Sequence, residues 1–342
     1  MARLIALCGA LVLAAGLAVA GAAWWAWRAL DAPGPAPAPV VVEVPAGAPL
    51  ARIAARLEDA GVVEHAALLE WYGRLTGLAG QVRAGEYRFP AGSTPRQVMS
   101  RLVSGEVVLH ALTIVEGWTF RQLREAIETH PAIGDKLPAA PDEALMSRLG
   151  MPDMAPEGWF LPETYRFPRG TTELELLAMA HRAMVAALDE AWAGRAEGIP
   201  LETAYEALIL ASIIEKETGV ADERREIAGV FARRLERGMR LQTDPTVIYG
   251  LGEAFDGNLR RADLRTDTPY NTYTRSGLPP TPIALPGRAA LEAAVDPAPG
   301  KALYFVATGN PDGTHYFSET LAEHNRAVAR YLATLRERRQ AQ

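Results

Sequence analysis

A long uncharged apolar run begins the hydropathy pattern of the chain. Residues 4–23 carry no charge and match the ~20 residues that a membrane-spanning helix needs. Trp24, Trp25 and Trp27 follow directly, as in an aromatic belt at the level of lipid headgroups. The pattern predicts a transmembrane anchor over residues 1–30, with a short N-terminal end left in the cytoplasm.

A cleaved signal peptide is the alternative to this anchor. Ala18, Val19 and Ala20 fit the small-x-small pattern that signal peptidase accepts. The apolar run continues beyond that site through the tryptophans, which favours a retained anchor. Arg3 and the free amino terminus favour a cytoplasmic N-terminus. Both interpretations predict that the rest of the chain is exported.

Residues 31–40 form a linker rich in proline and alanine. The stretch "DAPGPAPAP" has a proline at almost every second position, and such segments stay extended. We therefore expect a spacer that does not pack on the folded part and that holds it away from the membrane.

A strand-turn-helix pattern recurs four times after the linker. The sequence Tyr-Arg-Phe-Pro-x-Gly occurs at 87–92 and again at 165–170, and weaker copies begin at Val44 and Ile114. In each copy the glycine is followed by residues at helical spacing, and an apolar residue lies six positions after it. These apolar residues are Ile53, Val98, Leu123 and Leu176.

The first part of this repeat resembles the start of LysM modules, which bind glycans rich in N-acetylglucosamine. The resemblance predicts a LysM-like glycan-binding subdomain over residues 41–108. The alternative is that strand-turn-helix units simply recur in mixed folds.

Long helices are predicted from residue 201 onward. One predicted helix runs from Leu201 to Gly219, and the next ends at Gly238. Each glycine lies where a C-terminal cap is expected. Loops rich in Pro, Gly, Asn and Tyr follow, and a charged helix from about Ser318 closes the chain. Polar and aromatic loops beside a buried helix indicate a groove.

Composition and charge narrow the classes of function. The chain has 342 residues, of which 49% are hydrophobic and 22% charged, with a net charge of −6. This composition is typical of globular proteins, and the negative charge argues against nucleic acid as a partner. Cys8 is the only cysteine, and no HxxxH pair or phosphate loop occurs. The sequence predicts no metal and no cofactor.

Glu215, in "ASIIEKET", is the candidate catalytic residue. Residues 207–214 before it are apolar except for Ser212, so the helix is predicted to be buried nearly all round. Burial raises the pKa of a carboxyl group, and a protonated carboxyl can act as a general acid. The alternative is a solvated helix end. Glu217 has the weaker claim, because the glycine that follows predicts exposure.

Four long motifs resemble the YceG-like endolytic murein transglycosylases, the MltG family. They are "LASIIEKETGVADERREIAGVFARRL", "GMRLQTDPTVIYGLG", "YNTYTRSGLPPTPIALPG" and "YFVATGNPDGTHYFSETLAEHN". The resemblance covers nearly all of the chain after the linker. It implies cleavage inside peptidoglycan glycan strands, between N-acetylmuramic acid and N-acetylglucosamine, with Glu215 at the position of the family's catalytic glutamate.

The mechanism implied by the resemblance uses one carboxyl group. Glu215 protonates the glycosidic oxygen and then takes the proton of the muramic acid 6-hydroxyl, which closes a 1,6-anhydro ring without water. The resemblance also implies a single-pass protein of the inner membrane with its catalytic domain in the periplasm. The expected partners are nascent glycan strands, membrane lipid and the penicillin-binding proteins that extend the strands.

Seven further residues are candidates for glycan binding. Asp244 is the best second carboxylate, although Asp before Pro also suits the start of a helix. Within the family, "EGWFLPETYRF" resembles a segment that faces the catalytic domain, whereas Trp159 and Phe160 are predicted to fill a core. For the candidates in loops near Gly and Pro, the alternative role is to form the turn. The candidates are Glu157, Tyr165, Gln242, Asp244, Tyr249, Asn271 and Tyr273.

The sequence as a whole predicts an α+β protein with a transmembrane helix, a LysM-like strand-helix subdomain and a mixed α/β YceG-like catalytic domain over residues 109–342. Two alternatives to the transglycosylase stay open. One is a muramidase that uses water with Asp244 as helper, and the other is a glycan-binding scaffold without activity. The intact "EKET" motif argues against the scaffold.

Overall fold

The structure is a computed structural model that describes residues 2–138 and 140–341, with side chains for residues 7–138 and 140–338. Arg3, on which the predicted orientation partly rests, lies outside the described side chains. The fold is a mixed α/β fold preceded by an apolar helix. The chain divides into two compact units, named here unit 1 (Met1–His110 with Arg166–Gly170) and unit 2 (Ala111–Tyr165 with Thr171–Gln342).

Helices and strands alternate through the first half of the chain, and helices dominate the second. The helices are α1 (Ala2–Ala29), α2 (Leu50–Asp59), α3 (Ala66–Leu75), α4 (Pro95–Ser104), α5 (Phe120–Thr129), α6 (Asp142–Arg148), α7 (Glu173–Ala193), α8 (Ala204–Glu217), α9 (Arg224–Glu236), α10 (Asp244–Leu251), α11 (Arg288–Val295) and α12 (Leu321–Ala341). The strands are β1 (Val40–Val44), β2 (Gly85–Phe89), β3 (Leu109–Thr113), β4 (Thr164–Pro168), β5 (Tyr304–Ala307) and β6 (His315–Ser318).

The apolar N-terminal run forms α1. Residues Leu7–Ala29 are long and apolar enough to cross a membrane, and this segment is exposed along its length. An exposed apolar helix of this length is unfavourable in water but stable in lipid, because its backbone hydrogen bonds are satisfied internally. The helix therefore fits a single-pass membrane anchor, and the same length and composition would suit a signal sequence.

Unit 1 is built on a small antiparallel sheet. β1 pairs with β2 in a register from Val40 opposite Phe89 to Val44 opposite Gly85. Alternate strand residues point into the core, where Tyr87 and Phe89 are fully buried against α2, α3 and α4. The order of elements is strand, two helices, strand and helix.

The linker differs from the sequence-based expectation, because it packs on unit 1. Ala36 in the linker and Leu30 directly before it are buried, with exposures of 8% and 6%. The Gly34 N–H donates to Ser93 O at 3.2 Å, and the Gly92 N–H donates to Ala36 O at 3.0 Å. Prolines keep the segment extended as predicted, but an extended segment can still lie along a surface that offers it hydrogen-bond partners.

The four predicted repeats are confirmed as strand-turn-helix units. Each glycine has a positive φ, a conformation that L-residues with a side chain rarely adopt. These glycines are Gly47 (φ 70°), Gly92 (φ 65°), Gly117 (φ 77°) and Gly170 (φ 87°). The predicted apolar residues six positions later are all at most 4% exposed. They are Ile53, Val98, Leu123 and Leu176.

Three of these units share a reciprocal cap at the start of their helix. The threonine side chain accepts a hydrogen bond from the backbone three residues later, and the Gln or Glu there accepts one from the threonine backbone. Such a capping box satisfies two of the free N–H groups at a helix start. The pairs are Thr94 with Gln97, Thr119 with Gln122, and Thr172 with Glu175.

Unit 2 is centred on α8, which packs against α7, α9, α10 and α11. The predicted cap at Gly238 is confirmed, since this glycine follows α9 with a φ of 62°. The predicted cap at Gly219 is wrong, because α8 ends at Glu217 and Thr218 leaves the helix in an extended conformation. The last helix starts at Leu321 rather than near Ser318, which ends β6.

Candidate active site

α8 carries Glu215 at the edge of a buried core. Thr203 caps the start of the helix by accepting a hydrogen bond from the Glu206 N–H. All residues from 207 to 214 are buried, as predicted. The Ser212 hydroxyl, the polar exception, donates to Ile209 O at 2.7 Å and accepts from the Ile283 N–H at 3.0 Å. Ser212 thereby connects α8 to the loop that leads to α11.

The Glu215 carboxylate is partly buried and held through one oxygen. Its Oε2 accepts a hydrogen bond from the Gly287 N–H at 2.9 Å, directly before α11. Among the described residues, no group donates a hydrogen bond to Oε1. The neighbouring Lys216 Nζ donates to Gly117 O at 3.1 Å. One carboxyl oxygen is therefore positioned and the other is free to reach a ligand.

A second carboxylate, Glu116, lies beside this position. A Cβ placed on Gly287 would collide with the Glu116 carboxylate, so the carboxylate lies against the Gly287 backbone. The segment that carries Glu116 is held by two backbone hydrogen bonds, from Gly117 N–H to Leu285 O at 2.9 Å and from Leu285 N–H to Trp118 O at 2.7 Å. Glycine at 287 allows Glu116 and Glu215 to share one small region.

The surroundings raise the pKa of Glu215 above its usual value. Burial is the largest cause, because it disfavours the charged form, and the nearby Glu116 carboxylate acts in the same direction. The Gly287 N–H, Arg224 and Lys216 oppose the rise. The predicted elevation of this pKa is thus supported by the structure, with Glu116 as a cause that the sequence analysis did not consider.

Glu217 is also withdrawn from water, in contrast to the predicted exposure. The Thr243 hydroxyl donates a hydrogen bond to Glu217 Oε1, and the side chain is partly buried. Burial raises the pKa of Glu217 to about 7, against the lowering effect of the Thr243 hydrogen bond. The prediction failed because the chain beyond Thr218 does not turn away at a glycine cap but continues in an extended conformation.

Asp244 and Tyr273 form a hydrogen-bonded pair at the surface. The Tyr273 hydroxyl donates to Asp244 Oδ1 at 2.6 Å. Asp244 is the first residue of α10 and Thr243 occupies the cap position, so the alternative role of Asp244 as the cap is wrong by one residue. The Asp244 charge raises the pKa of Glu217. Asp244 itself is exposed. Its carboxylate is thus available to a ligand.

Gln242 and Asn271 occupy contrasting positions in the adjoining loops. Gln242 is exposed and has a φ of 50°, which is uncommon for a residue other than glycine and occurs often at functional sites. Asn271 is fully buried. Its Nδ2 donates to Thr266 O at 2.7 Å, and its Oδ1 accepts from the Tyr273 N–H at 2.8 Å. This placement favours turn formation for Asn271 and leaves Gln242 as the accessible residue.

Glu157 and Tyr249 are joined inside unit 2. Glu157 is 5% exposed and accepts hydrogen bonds from the Phe120 N–H at 3.0 Å and the Tyr249 hydroxyl at 3.2 Å. Burial raises the pKa of Glu157 to about 7. The Phe120 N–H is at the first residue of α5, so Glu157 satisfies a free donor at a helix start. These contacts favour a structural role for Glu157.

Tyr165 also points into the protein. It is 7% exposed, and its hydroxyl donates to Leu161 O at 2.8 Å. Trp159 and Phe160 are buried as predicted, and the Trp159 ring stacks on Tyr205 at 5.8 Å between centroids. Glycan contact by Tyr165 stays a prediction, for which the structure offers little accessible surface.

Three neighbours of Glu215 were not predicted from the sequence: Glu116, Arg224 and Gly287. One signal for Glu116 existed, since it precedes Gly117 in the repeat copy "IVEGWTF". The repeat pattern predicts a turn at Gly117 and a buried Leu123 there, but no role for Glu116. No pattern in the chain indicates that residues 116, 215 and 287 meet.

Comparisons with known proteins agree in one description. A family model described as the YceG-like family matches residues 42–330. A protein of Bacillus subtilis (strain 168) named endolytic murein transglycosylase is 32% identical over 316 residues, which cover 87% of this chain and 86% of that protein.

A second relative and a solved structure extend the comparison. A Streptococcus pneumoniae protein (serotype 2, strain D39) of the same name is 28% identical over 336 residues, covering 86% of this chain and 58% of that protein. A crystal structure of a YceG-like protein from Listeria monocytogenes has 30% sequence identity and a TM-score of 0.52, and the match covers 84% of this chain and 98% of that one.

Proposed function

The chain belongs to the YceG-like family, and from this premise we propose that Glu215 is the acid and base with which it cleaves murein glycan strands. The enzyme class follows from the relatives, so that the chain is a lytic transglycosylase acting on peptidoglycan. Endolytic cleavage between N-acetylmuramic acid and N-acetylglucosamine, and the role of Glu215 in it, are the finer parts of the proposal.

The environment of Glu215 suits the first step. Its raised pKa keeps the carboxyl protonated closer to neutral pH, and its Oε2 is fixed by the Gly287 N–H. The proton on Oε1 passes to the glycosidic oxygen of the leaving N-acetylglucosamine while the bond from that oxygen to C1 of the muramic acid breaks. The free Oε1 is the single observation that carries the proposal.

The second step uses the same carboxyl group as a base. The Glu215 carboxylate takes the proton of the muramic acid 6-hydroxyl, and the oxygen of this hydroxyl forms a bond to C1. Atoms balance without water, since the proton lost in the first step is regained in the second. The attacking hydroxyl belongs to the substrate itself, so proximity favours ring closure over attack by a separate water molecule.

This route needs no second carboxylate to activate water, unlike a hydrolase with a flanking pair. Glu116 then has an electrostatic role: its charge holds the proton on Glu215 until the sugar is bound. We assign glycan binding to exposed Asp244 and Gln242 and to half-buried Tyr273, whose hydroxyl donates to Asp244 Oδ1.

A LysM-like role for residues 41–108 extends the proposal. The strand, two helices and strand of this region have the order expected of a LysM-like unit, with the two strands antiparallel. We infer that this subdomain binds the glycan and that residues 109–342 cleave it. The functional boundary between residues 108 and 109 is part of this inference.

The helix α1 supports a location of the enzyme at a membrane. A helix that can span a membrane restricts the enzyme to glycan near that membrane, because a tether raises the local concentration of one partner for the other. We infer that unit 2 lies in the periplasm, that the substrate is the nascent strand made by penicillin-binding proteins, and that cleavage ends strand elongation.

Mass spectrometry of released muropeptides tests the proposal. The wild-type chain in detergent is expected to give anhydro ends, which are lighter by one water than hydrolysed ends. Glu215→Gln should lower the rate by at least ~10²-fold, because general acid catalysis contributes that much or more. Glu217→Gln is the matched control, two residues away on the same helix, and should keep most of the activity.

Three outcomes would contradict the proposal. Anhydro products formed at the same rate by Glu215→Gln would remove Glu215 from the mechanism. A larger loss in Glu217→Gln than in Glu215→Gln would transfer the acid role to Glu217. Hydrolysed ends from the wild type would indicate a muramidase, with Asp244 as the next residue to replace.

A further inference from the structure

α3 presents an apolar stripe to the outside of unit 1. Trp71 and Leu75 are 66% and 71% exposed and lie four residues apart, hence on the same helix face. Ala67 continues this face by one more turn and is exposed too. The opposite face, with Leu69 and Gly73, is buried in the core of unit 1. Large apolar side chains gathered on one exposed face usually mark an interaction site.

The stripe adjoins the apolar helix α1 through a groove of about 850 Å³ between α1 and α3. On the α1 side this groove is lined by Val19, Ala22 and Ala23, and on the α3 side by Leu68 and Trp71. All five side chains are apolar, and the lining also includes two polar side chains, His65 and Glu58, of which the Glu58 carboxylate accepts a hydrogen bond from the Ala66 N–H at 3.1 Å. Near one end, the rings of Trp25 and His65 lie 5.5 Å apart between centroids.

The position along α1 sets the depth of the groove in a bilayer. A hydrocarbon core of ~30 Å takes about 20 helical residues, which the uncharged run over residues 4–23 supplies, so the far boundary lies near Ala23, directly before Trp24. Val19 to Ala23 then lie within the last ~6 Å of hydrocarbon, at a rise of 1.5 Å per residue. α3 faces these residues and therefore lies at the boundary between hydrocarbon and headgroups.

Close contacts join the end of α1 to the rest of unit 1 and hold α3 beside α1. The Arg96 guanidinium lies 4.4 Å from the centroid of the Trp27 ring and forms an ion pair with Asp31 at 2.8 Å. Leu30 is buried directly after α1. A Cβ on Gly34 would collide with Val62 O, so the linker backbone runs directly against the unit.

We propose that unit 1 docks on the lipid bilayer through this α3 stripe, defined as Ala67, Leu68, Trp71 and Leu75. The stripe enters the outer boundary of the hydrocarbon beside α1, and acyl chains fill the groove between the two helices. The proposal rests on α1 crossing a membrane, and it is independent of the reaction proposed for unit 2. It gives unit 1 a second attachment to the membrane besides the span.

Lipid fits the stripe better than other occupants. Tryptophan is favoured at the headgroup level, and leucine is favoured in the hydrocarbon next to it. A glycan would need hydrogen-bonding side chains, whereas the stripe offers only the indole N–H of Trp71. The span already holds the stripe beside lipid, so docking needs no further partner to be captured.

Fluorescence quenching in nanodiscs tests this docking on the full chain. In a Cys8→Ser background, Leu75→Cys is labelled with an environment-sensitive fluorophore, and lipids carry a nitroxide on the upper acyl chain. Val41→Cys is the matched control, because Val41 is an exposed apolar residue of the same unit on the outer side of β1. We expect at least twofold stronger quenching and a blue-shifted emission at position 75 relative to position 41.

Replacing the stripe provides a second measurement. With the label at Ala67→Cys, the double change Trp71→Gln and Leu75→Gln should reduce quenching at least twofold while the chain stays in the nanodisc through α1. Equal, solvent-like quenching at positions 75 and 41 would overturn the proposal. So would an emission shift at position 75 caused by added glycan chains, or energy transfer between labelled copies at this site, since these would assign the stripe to glycan or to a second copy.

Discussion

At the scale of single residues, the proposed chemistry depends on where three acidic groups are placed. Glu215 and Glu217 are separated by one residue on α8, yet the groups around them differ. Glu215 accepts a hydrogen bond from the backbone of Gly287 and lies near Glu116. Glu217 accepts a hydrogen bond from Thr243, and the Asp244 charge raises its pKa. Side chains two positions apart on a helix point to nearly opposite sides, so each carboxyl has its own set of neighbours.

The pH dependence of cleavage should report the neighbours of Glu215. An acid must be protonated to act, so kcat/KM should fall as pH rises through the pKa of Glu215. Glu116→Gln removes a negative charge that raises this pKa, and the falling limb should move to lower pH. Lys216→Met removes a positive charge that lowers it, and the limb should move to higher pH. Rates measured across the neutral range check both shifts.

The two variants control for each other, since both alter a charged residue beside Glu215 but in opposite senses. Shifts in the same direction would indicate a general disturbance of the site instead of an electrostatic effect. At the optimum, Glu116→Gln should lose less activity than Glu215→Gln.

Buried Glu157 should make stability depend on pH. Its folded pKa of about 7 lies above the ordinary value of 4.5, so the folded state favours the protonated form. The resulting stabilisation is complete below the ordinary value and is lost as pH rises through about 7, amounting to about 3 kcal/mol at most. Glu157→Gln cannot ionise, so its unfolding free energy should fall less between about pH 5 and about pH 8.

Urea unfolding of the full chain in detergent measures this difference. Glu163→Gln is a suitable control, because Glu163 is an exposed carboxylate in the same segment. A wild type and a Glu157→Gln variant with the same pH slope would show that Glu157 does not stay protonated in the fold.

At the scale of elements, the strand-turn-helix unit is the recurring device. Its glycine adopts a left-handed conformation, which allows the chain to reverse over a few residues, and the next helix starts with a cap in three of the four units. The apolar residue six positions after the glycine is then buried in all four copies. In the copy with Gly117 the same turn also brings Glu116 to Glu215.

Replacing the first of these glycines measures the importance of the turn. Gly47 has a φ of 70°, and no atom within 4 Å would obstruct a Cβ, so any effect of a side chain comes from the backbone conformation. Gly47→Ala should destabilise unit 1 by ~1–2 kcal/mol. Gly47→Asn should cost less, because asparagine tolerates this conformation better. Thermal unfolding of both variants checks the order, and equal stability of alanine and wild type would contradict it.

At the scale of the whole molecule, the apolar helix α1 and the candidate acid Glu215 belong to different units. α1 is part of unit 1, and Glu215 with all its described neighbours is part of unit 2. The linker is not a free spacer after α1, since Ala36 is buried and backbone hydrogen bonds join Gly34 to Ser93 and Ala36 to Gly92.

Deleting residues 2–28 should separate location from activity. The shortened chain is expected to leave the membrane fraction, because the apolar span is gone, and to keep cleaving isolated sacculi, because unit 2 retains its core and Glu215. Ultracentrifugation followed by muropeptide analysis measures both. A shortened chain that stays with membranes as completely as the full one would show that α1 is not the main attachment.

The sequence by itself determined the features that local pattern encodes. The uncharged run gave α1, the repeated glycines gave four turns with their buried helix residues, and the apolar stretch before Glu215 gave the buried α8. Period, length and residue type are properties of neighbouring positions, so they can be recognised without a fold. The motifs around Glu215 also sufficed to identify the family.

Only the tertiary structure decided which groups surround the acid. Glu116, Glu215 and Gly287 are far apart in the chain and meet because α8, α11 and the turn after β3 pack together. The same reason explains why Glu217 is enclosed, why Asn271 is buried and why the proline-rich linker lies on unit 1. Each depends on surfaces that distant segments provide, and hydropathy and spacing contain no information about which surfaces will meet.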